Sequence, residues 1–155
     1  MNDLRSTEKS GPELAINECM KSEGSNRAVL IVEDEASIRD VLVELFEVDG
    51  NAVTAAALLP EALEKLRTQR FDLIVTDLRL GGKRDGGLQV MALAGMLSPD
   101  AMVLVLTAYP DDANRQASFR LGALHFLEKP VDLATIAQHA STVGVRTAFA
   151  ESTRE

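Results

Sequence analysis

Four apolar runs in this chain each end in residues that can do chemistry, and that pattern constrains the fold more than any other feature. Ala28-Val29-Leu30-Ile31-Val32 leads into Glu33-Asp34, and Leu73-Ile74-Val75-Thr76 leads into Asp77. Met102-Val103-Leu104-Val105-Leu106 leads into Thr107, and Leu124-His125-Phe126-Leu127-Glu128 into Lys129-Pro130. Short, β-branched, nearly unbroken apolar runs are what strands buried on both faces of a parallel sheet look like. Such sheets bind ligands beyond the carboxyl ends of their strands. The chain is therefore expected to deliver an acidic pair, a lone aspartate, a hydroxyl and a lysine to one rim.

Between these runs the apolar spacing becomes helical. Ile38, Val41, Leu42, Leu45 and Phe46 form one stripe that stops near Gly50. Asn51 to Ala56 reads as the second strand, and Pro60 suits the first turn of a helix burying Ala62, Leu63 and Leu66. Leu88 to Met96 is expected as a third helix and Asp111 to Leu121 as a fourth, stopped by Gly122. Asp132 is a natural cap for a last helix running to about Phe149. Five strands each followed by a helix predict a doubly wound α/β domain over residues 27–149. Residues 1–26 are polar, with charges of both signs, and are expected to form a largely disordered tail; 150–155 is a short C-terminal tail.

Bulk properties remove several classes of function. The formal charge is −8, whereas a broad nucleic-acid footprint needs clustered Lys and Arg. Nothing approaches the ~18 apolar residues of a membrane helix, and no secretory leader pattern opens the chain. Cys19 is the single cysteine and cannot form an internal disulfide, which suits a reducing, cytoplasmic setting. His125 and His139 are expected at the surface.

The rim residues ask for a cation. If Glu33, Asp34 and Asp77 converge, each pair of like charges costs roughly 1 kcal/mol in water-like surroundings and nearer 4 at the effective dielectric of a cleft. A divalent ion relieves this, and hard oxygen donors favour Mg²⁺, with Mn²⁺ as a substitute. A carboxylate that attacks phosphorus forms a mixed anhydride. The group in transfer spreads charge over three oxygens, so positioning and cations supply the catalysis. A metal, the Lys129 ammonium and the Thr107 hydroxyl would answer one oxygen each. Taken singly, Asp77 is an ordinary helix cap and Thr107 an ordinary strand end; the combination is what points to this chemistry.

In types and order, these motifs resemble the receiver domain of two-component response regulators, over roughly Arg27 to Thr147, as a stand-alone receiver. The resemblance implies a flavodoxin-like sheet of strand order 2-1-3-4-5. It implies Asp77 as phosphoacceptor, with Lys129 and Thr107 assisting, and a metal on Asp34, Asp77 and the backbone carbonyl of Arg79. Glu33 stands where the family more often has Asp, and would reach the metal through water. Thr107 and Phe126 would be the switch pair, and Arg79 and Tyr109 would tune how readily water reaches the phosphoryl group. The Lys129–Pro130 bond is often cis in the family. The partners implied are a histidine kinase or a histidine phosphotransfer protein, and a downstream protein read through the fourth helix, fifth strand and fifth helix. No catalysis is implied beyond the protein's own phosphorylation and dephosphorylation. One departure is the loop Leu80-Gly81-Gly82-Lys83-Arg84-Asp85-Gly86-Gly87. It lacks the family's proline, and its four glycines suggest flexibility.

Three other readings compete. A receiver can serve as an interaction module without being phosphorylated. A haloacid-dehalogenase-type phosphatase would open with D-x-D, which Asp77-Leu78-Arg79 lacks. A flavodoxin-like nucleotide binder would need a phosphate-cradling loop after the first strand, where Glu33-Asp34-Glu35 would repel it.

Overall fold

In each strand the apolar side chains alternate between two helical layers, and that alternation sets the architecture. The computed structural model describes residues 26–82 and 84–149; the expected N-terminal tail, Lys83 and residues 150–155 lie outside them. The strands are β1 Arg27–Val32, β2 Asn51–Ala56, β3 Leu73–Asp77, β4 Met102–Thr107 and β5 His125–Glu128. The helices are α1 Ala36–Phe46, α2 Leu59–Thr68, α3 Gly86–Leu97, α4 Asp112–Arg120 and α5 Leu133–Ser141. All neighbouring strands are parallel, in the order β2-β1-β3-β4-β5.

Val29, Ile31, Leu73, Val75, Leu104 and Leu106 face one side of the sheet, where they pack with Leu42, Leu45 and Phe46 of α1 and Ile136 and Ala140 of α5. Leu30, Val32, Ile74, Val103 and Val105 face the other side and pack with Ala62 and Leu66 of α2 and Val90, Met91 and Ala94 of α3. At about 25 cal/mol per Å² of apolar surface, these two layers supply the dominant folding force. α4 is held differently: Ser118 is its one buried residue, and that hydroxyl has no partner among the described residues. The Phe119 ring instead lies 6.4 Å from the Phe126 ring of β5, and the Arg115 guanidinium sits 4.9 Å over that same ring.

Helix ends follow local chemistry. Asp111 and Asp132 accept the N–H groups of Asn114 (2.8 Å) and Ala134 (3.4 Å). Gly122 takes φ 104°, the left-handed stop expected of it. The last helix is shorter than expected, ending at Ser141 and not near Phe149. The Ser141 and Thr142 hydroxyls donate to the carbonyls of Gln138 (2.8 Å) and His139 (2.6 Å), and Gly144 reverses the chain at φ 79°. Val145 then turns back into the core. The Gly144 carbonyl accepts from Arg27 Nε at 3.4 Å, and the Arg146 carbonyl accepts from Asn51 Nδ2 at 2.8 Å. This segment is thereby tied to the starts of β1 and β2.

The glycine loop also differs from expectation. Gly81 and Gly82 do occupy left-handed turn positions, with φ 56° and 82°. Gly86 and Gly87, however, are buried first residues of α3. A Cβ on Gly87 would lie 2.8 Å from the Leu78 Cα and closer still to the Asp77 carbonyl oxygen. Those two glycines serve close packing, not flexibility.

Candidate functional site

Parallel register brings the four run-ends together. Val32 pairs with Thr76, Asp77 with Leu106 and Thr107 with Glu128, so Glu33, Asp34, Asp77, Thr107 and Lys129 all leave the same edge. Single carboxylate oxygens of Glu33, Asp34 and Asp77 lie within 4.8 Å of one another. Glu33 and Asp77 are buried, and Asp34 is exposed.

Lys129 is the hub of this cluster. Its Nζ donates to Glu33 Oε1 at 2.8 Å and to Asp77 Oδ2 at 3.1 Å. Burial would lower the ammonium pKa, but the hydrogen bond to Glu33 and the charge of Asp77 outweigh it and hold Lys129 above its ordinary range. Glu33 is raised, first by burial and also by the negative charge of Asp77, with the Lys129 hydrogen bond opposing. The second Glu33 oxygen accepts from the Glu35 N–H at 3.1 Å. Its extra methylene thus carries this carboxylate to the lysine. Asp34 Oδ2 accepts from the Gly81 N–H at 3.0 Å, and Asp77 Oδ1 accepts from the Leu78 N–H at 2.7 Å. The oxygen-rich, charge-crowded donor set fits a hard divalent cation.

The remaining residues lie around this centre. Thr107 is buried, and its Oγ1 accepts from the Tyr109 N–H at 3.0 Å. Tyr109 is exposed under the Arg79 guanidinium, 4.2 Å from the ring centroid. Phe126 is buried between Arg115 and Phe119 on the α2–α3 side of the sheet. The Lys129 N–H donates to the Thr107 carbonyl at 2.7 Å, and the Lys129–Pro130 bond is cis. His125 and His139 are not free surface residues: both are half-buried and stacked, with centroids 3.7 Å apart.

Several contributors escape a motif search. Arg39 Nη1 on α1 donates to the carbonyls of Glu33 (2.9 Å) and Asp34 (3.4 Å), bracing the acidic turn. Its signal was weak, a lone cation on a helix otherwise read by its apolar stripe. Arg115 over Phe126 gave no signal at all, since the two lie eleven positions apart on different elements. A cleft of about 880 Å³ opens beside the cluster and continues between α1 and α5 past Ile38, Leu42 and Ile136.

A doubly wound sheet brings an aspartate, a paired lysine, a hydroxyl and a metal-competent acidic pair to one rim. Comparison with known proteins identifies the family. Residues 29–141 match the family model of the response regulator receiver domain, and the chain belongs to that family. It is 32% identical over 111 residues to sporulation initiation phosphotransferase F of Bacillus subtilis, covering 72% of this chain and 88% of that protein. It is 36% identical over 110 residues to the acid tolerance regulatory protein ActR of Sinorhizobium medicae, covering 70% of this chain but 55% of the relative. Among solved structures, a CheY-like receiver domain protein from Methanospirillum hungatei superposes with TM-score 0.70 at 27% identity, covering 76% of this chain and 93% of that one. A Burkholderia pseudomallei response regulator, crystallised with a phosphorylated aspartic acid, calcium ion and citrate, gives TM-score 0.66 at 30% identity over 83% of this chain and 71% of that one. The protein is thus a two-component receiver homologous to phosphoacceptor response regulators. No helix among the described residues is long and apolar enough to cross a membrane.

Proposed function

We propose that Asp77 accepts a phosphoryl group from a phosphohistidine, on a histidine kinase or a histidine phosphotransfer protein, and that the modified domain is read by a separate protein. The carrying observation is the Lys129 ammonium, held 3.1 Å from Asp77 Oδ2 and clamped from behind by Glu33. An Asp77 oxygen attacks phosphorus, the P–N bond breaks, and the imidazole leaves with a proton from solvent. Lys129 follows the charge onto the transferred oxygens without having to be recruited. Asp34, Asp77, the Arg79 carbonyl and, through water, Glu33 would hold Mg²⁺ or Mn²⁺, whose charge offsets that of the phosphoryl oxygens. The Thr107 hydroxyl, with the backbone N–H of Leu78 that now donates to Asp77 Oδ1, would supply uncharged donors to the same group. The protein thereby assists its own phosphorylation and hydrolysis, and acts on no separate substrate.

The readout runs through Thr107 and Phe126. Movement of Thr107 changes the space for Phe126, and Phe126 is the ring on which α4 rests through Arg115 and Phe119. The face of α4, β5 and α5 is therefore the surface a downstream protein reads, in a cytoplasmic setting.

The test is phosphorylation by acetyl phosphate with Mg²⁺. Intact mass should rise by one phosphoryl group, and Asp77→Asn should abolish the rise. Labelling that persists in that variant would move the nucleophile elsewhere. An unmodified wild type would favour the phosphorylation-independent interaction module.

A further inference from the structure

Arg39 is the one basic residue of α1, and it stands beside a turn that carries three consecutive carboxylates, Glu33, Asp34 and Glu35. An arginine in that setting ordinarily pairs with an acid. Arg39 forms no ion pair with any described carboxylate. Its half-buried guanidinium donates from Nη1 to the backbone carbonyls of Glu33 at 2.9 Å and Asp34 at 3.4 Å.

The rest of the turn is tied as well. The Glu33 N–H donates to the Ala56 carbonyl of β2 at 3.1 Å, and the Glu35 N–H to Glu33 Oε2 at 3.1 Å. The Glu35 carbonyl accepts from the Arg39 N–H at 2.9 Å. Glu35, the N-cap of α1, makes no side-chain capping bond. Arg39, four residues on, is the side-chain tie between the helix and the backbone carbonyls of the turn. With that backbone fixed, one oxygen each of Glu33, Asp34 and Asp77 lies within 4.8 Å of the others.

Two roles for Arg39 carry opposite signs. A positive charge near a cation site repels the cation, so as a charge alone Arg39 would weaken Mg²⁺ binding and its removal would tighten it. As a brace it does the reverse: once released, the two carbonyls can turn and carry their carboxylates off the site. The guanidinium engages carbonyls and leaves the carboxylates to the cation, which is the geometry of a brace.

We propose that Arg39 is a positioning residue of the cation site, a role that rests on the reading of this cluster as a Mg²⁺ site. It fixes the Glu33–Asp34 backbone so that both carboxylates converge with Asp77, and through them it sets the affinity for a divalent cation. Losing a residue that orients metal ligands from behind lowers affinity about 10–100-fold.

The test titrates the full chain with Mg²⁺ while ¹⁵N NMR follows its amide resonances. Arg39→Met should raise the half-saturating Mg²⁺ concentration at least about tenfold. Arg39→Lys, which keeps the charge and a donor, should recover part of that loss. Leu66→Ala, buried on the opposite face of the sheet, should lower stability and leave half-saturation where it is. A second measurement, hydrogen exchange with a chelator present, needs no metal. In Arg39→Met the Glu35 amide should exchange faster by a larger factor than Val75 of β3, which reports global opening. Half-saturation that stays or falls in Arg39→Met overturns the brace, as does equal acceleration of Glu35 and Val75. A wild type whose amides ignore Mg²⁺ would instead overturn the metal reading, while the exchange comparison still decides on the brace.

Discussion

Replacing Lys129 by methionine keeps most of the aliphatic stem and deletes the charge that bridges Glu33 and Asp77. The two contacts, at 2.8 and 3.1 Å, are worth about 6 and about 5 kcal/mol gross at an effective dielectric near 20. Much of that offsets the desolvation of three side chains that are 15%, 2% and 10% exposed. What remains in Lys129→Met is a pair of carboxylates without a counter-charge, and breaking a buried pair in this way costs about 3–5 kcal/mol. Glu33 supplies the pH dependence. Its folded-state pKa is already raised by burial and by Asp77, so its protonated form favours the fold. That contribution is present at low pH and is lost as pH rises through the folded value. Urea unfolding with a chelator present should therefore show a loss of about 3–5 kcal/mol near pH 8 and a distinctly smaller loss near pH 5. A loss below about 1 kcal/mol, or one that does not change with pH, would refute the view that Lys129 neutralises this cluster.

Asp34→Ala should erase the rise in melting temperature on adding Mg²⁺, which in the wild type approaches ~2.7 kcal/mol of stabilisation at about 100 times Kd; an undiminished rise would move the metal elsewhere. Gly87→Ala should destabilise by about 1–3 kcal/mol and slow acetyl-phosphate labelling, because its Cβ would press on the Asp77–Leu78 backbone; chemical unfolding and intact mass read the two effects. His139 is held below the ordinary imidazole value by burial and by His125, so stability should be flat above about pH 6.5 and fall below it, as the unfolded chain takes up its proton first. Melting curves between about pH 7.5 and 5.5 should show that fall in the wild type and a shallower one in His139→Gln.

The sheet was legible because each strand is an apolar run whose length, composition and flanking residues agree. β2 was found at its observed bounds, and Asp77, Thr107 and Lys129 were found at strand ends because a parallel sheet has one rim. The end of α5 was not legible. The apolar spacing runs on through Thr142-Val143-Gly144-Val145 and hid Gly144, a left-handed stop of the same kind as Gly122; hydroxyls binding the last carbonyls and the space for Val145 in the core complete the ending. Gly86 and Gly87 were misread because a glycine that admits a neighbouring backbone looks, in sequence, like one that lends freedom to a loop. The stacked histidines and the Arg115–Phe126 contact join elements far apart along the chain, and single-chain spacing carries no record of them. Glu33 was correctly located, but its use of both oxygens on Lys129 and the Glu35 N–H depends on where α1 and β5 lie relative to β1.

The ties from Gly144 to Arg27 and from Arg146 to Asn51 have a practical consequence. They fix both ends of the described fold at the floor of the sheet, a six-residue strand away from the rim, or about 20 Å at the rise of an extended chain. A fluorophore, a surface linker or a fused reporter hung from either end would leave the mouth of the site clear. The two attachment points also lie side by side, so circular permutants that join the old termini and open the chain at a loop of the same floor are a feasible design on this scaffold.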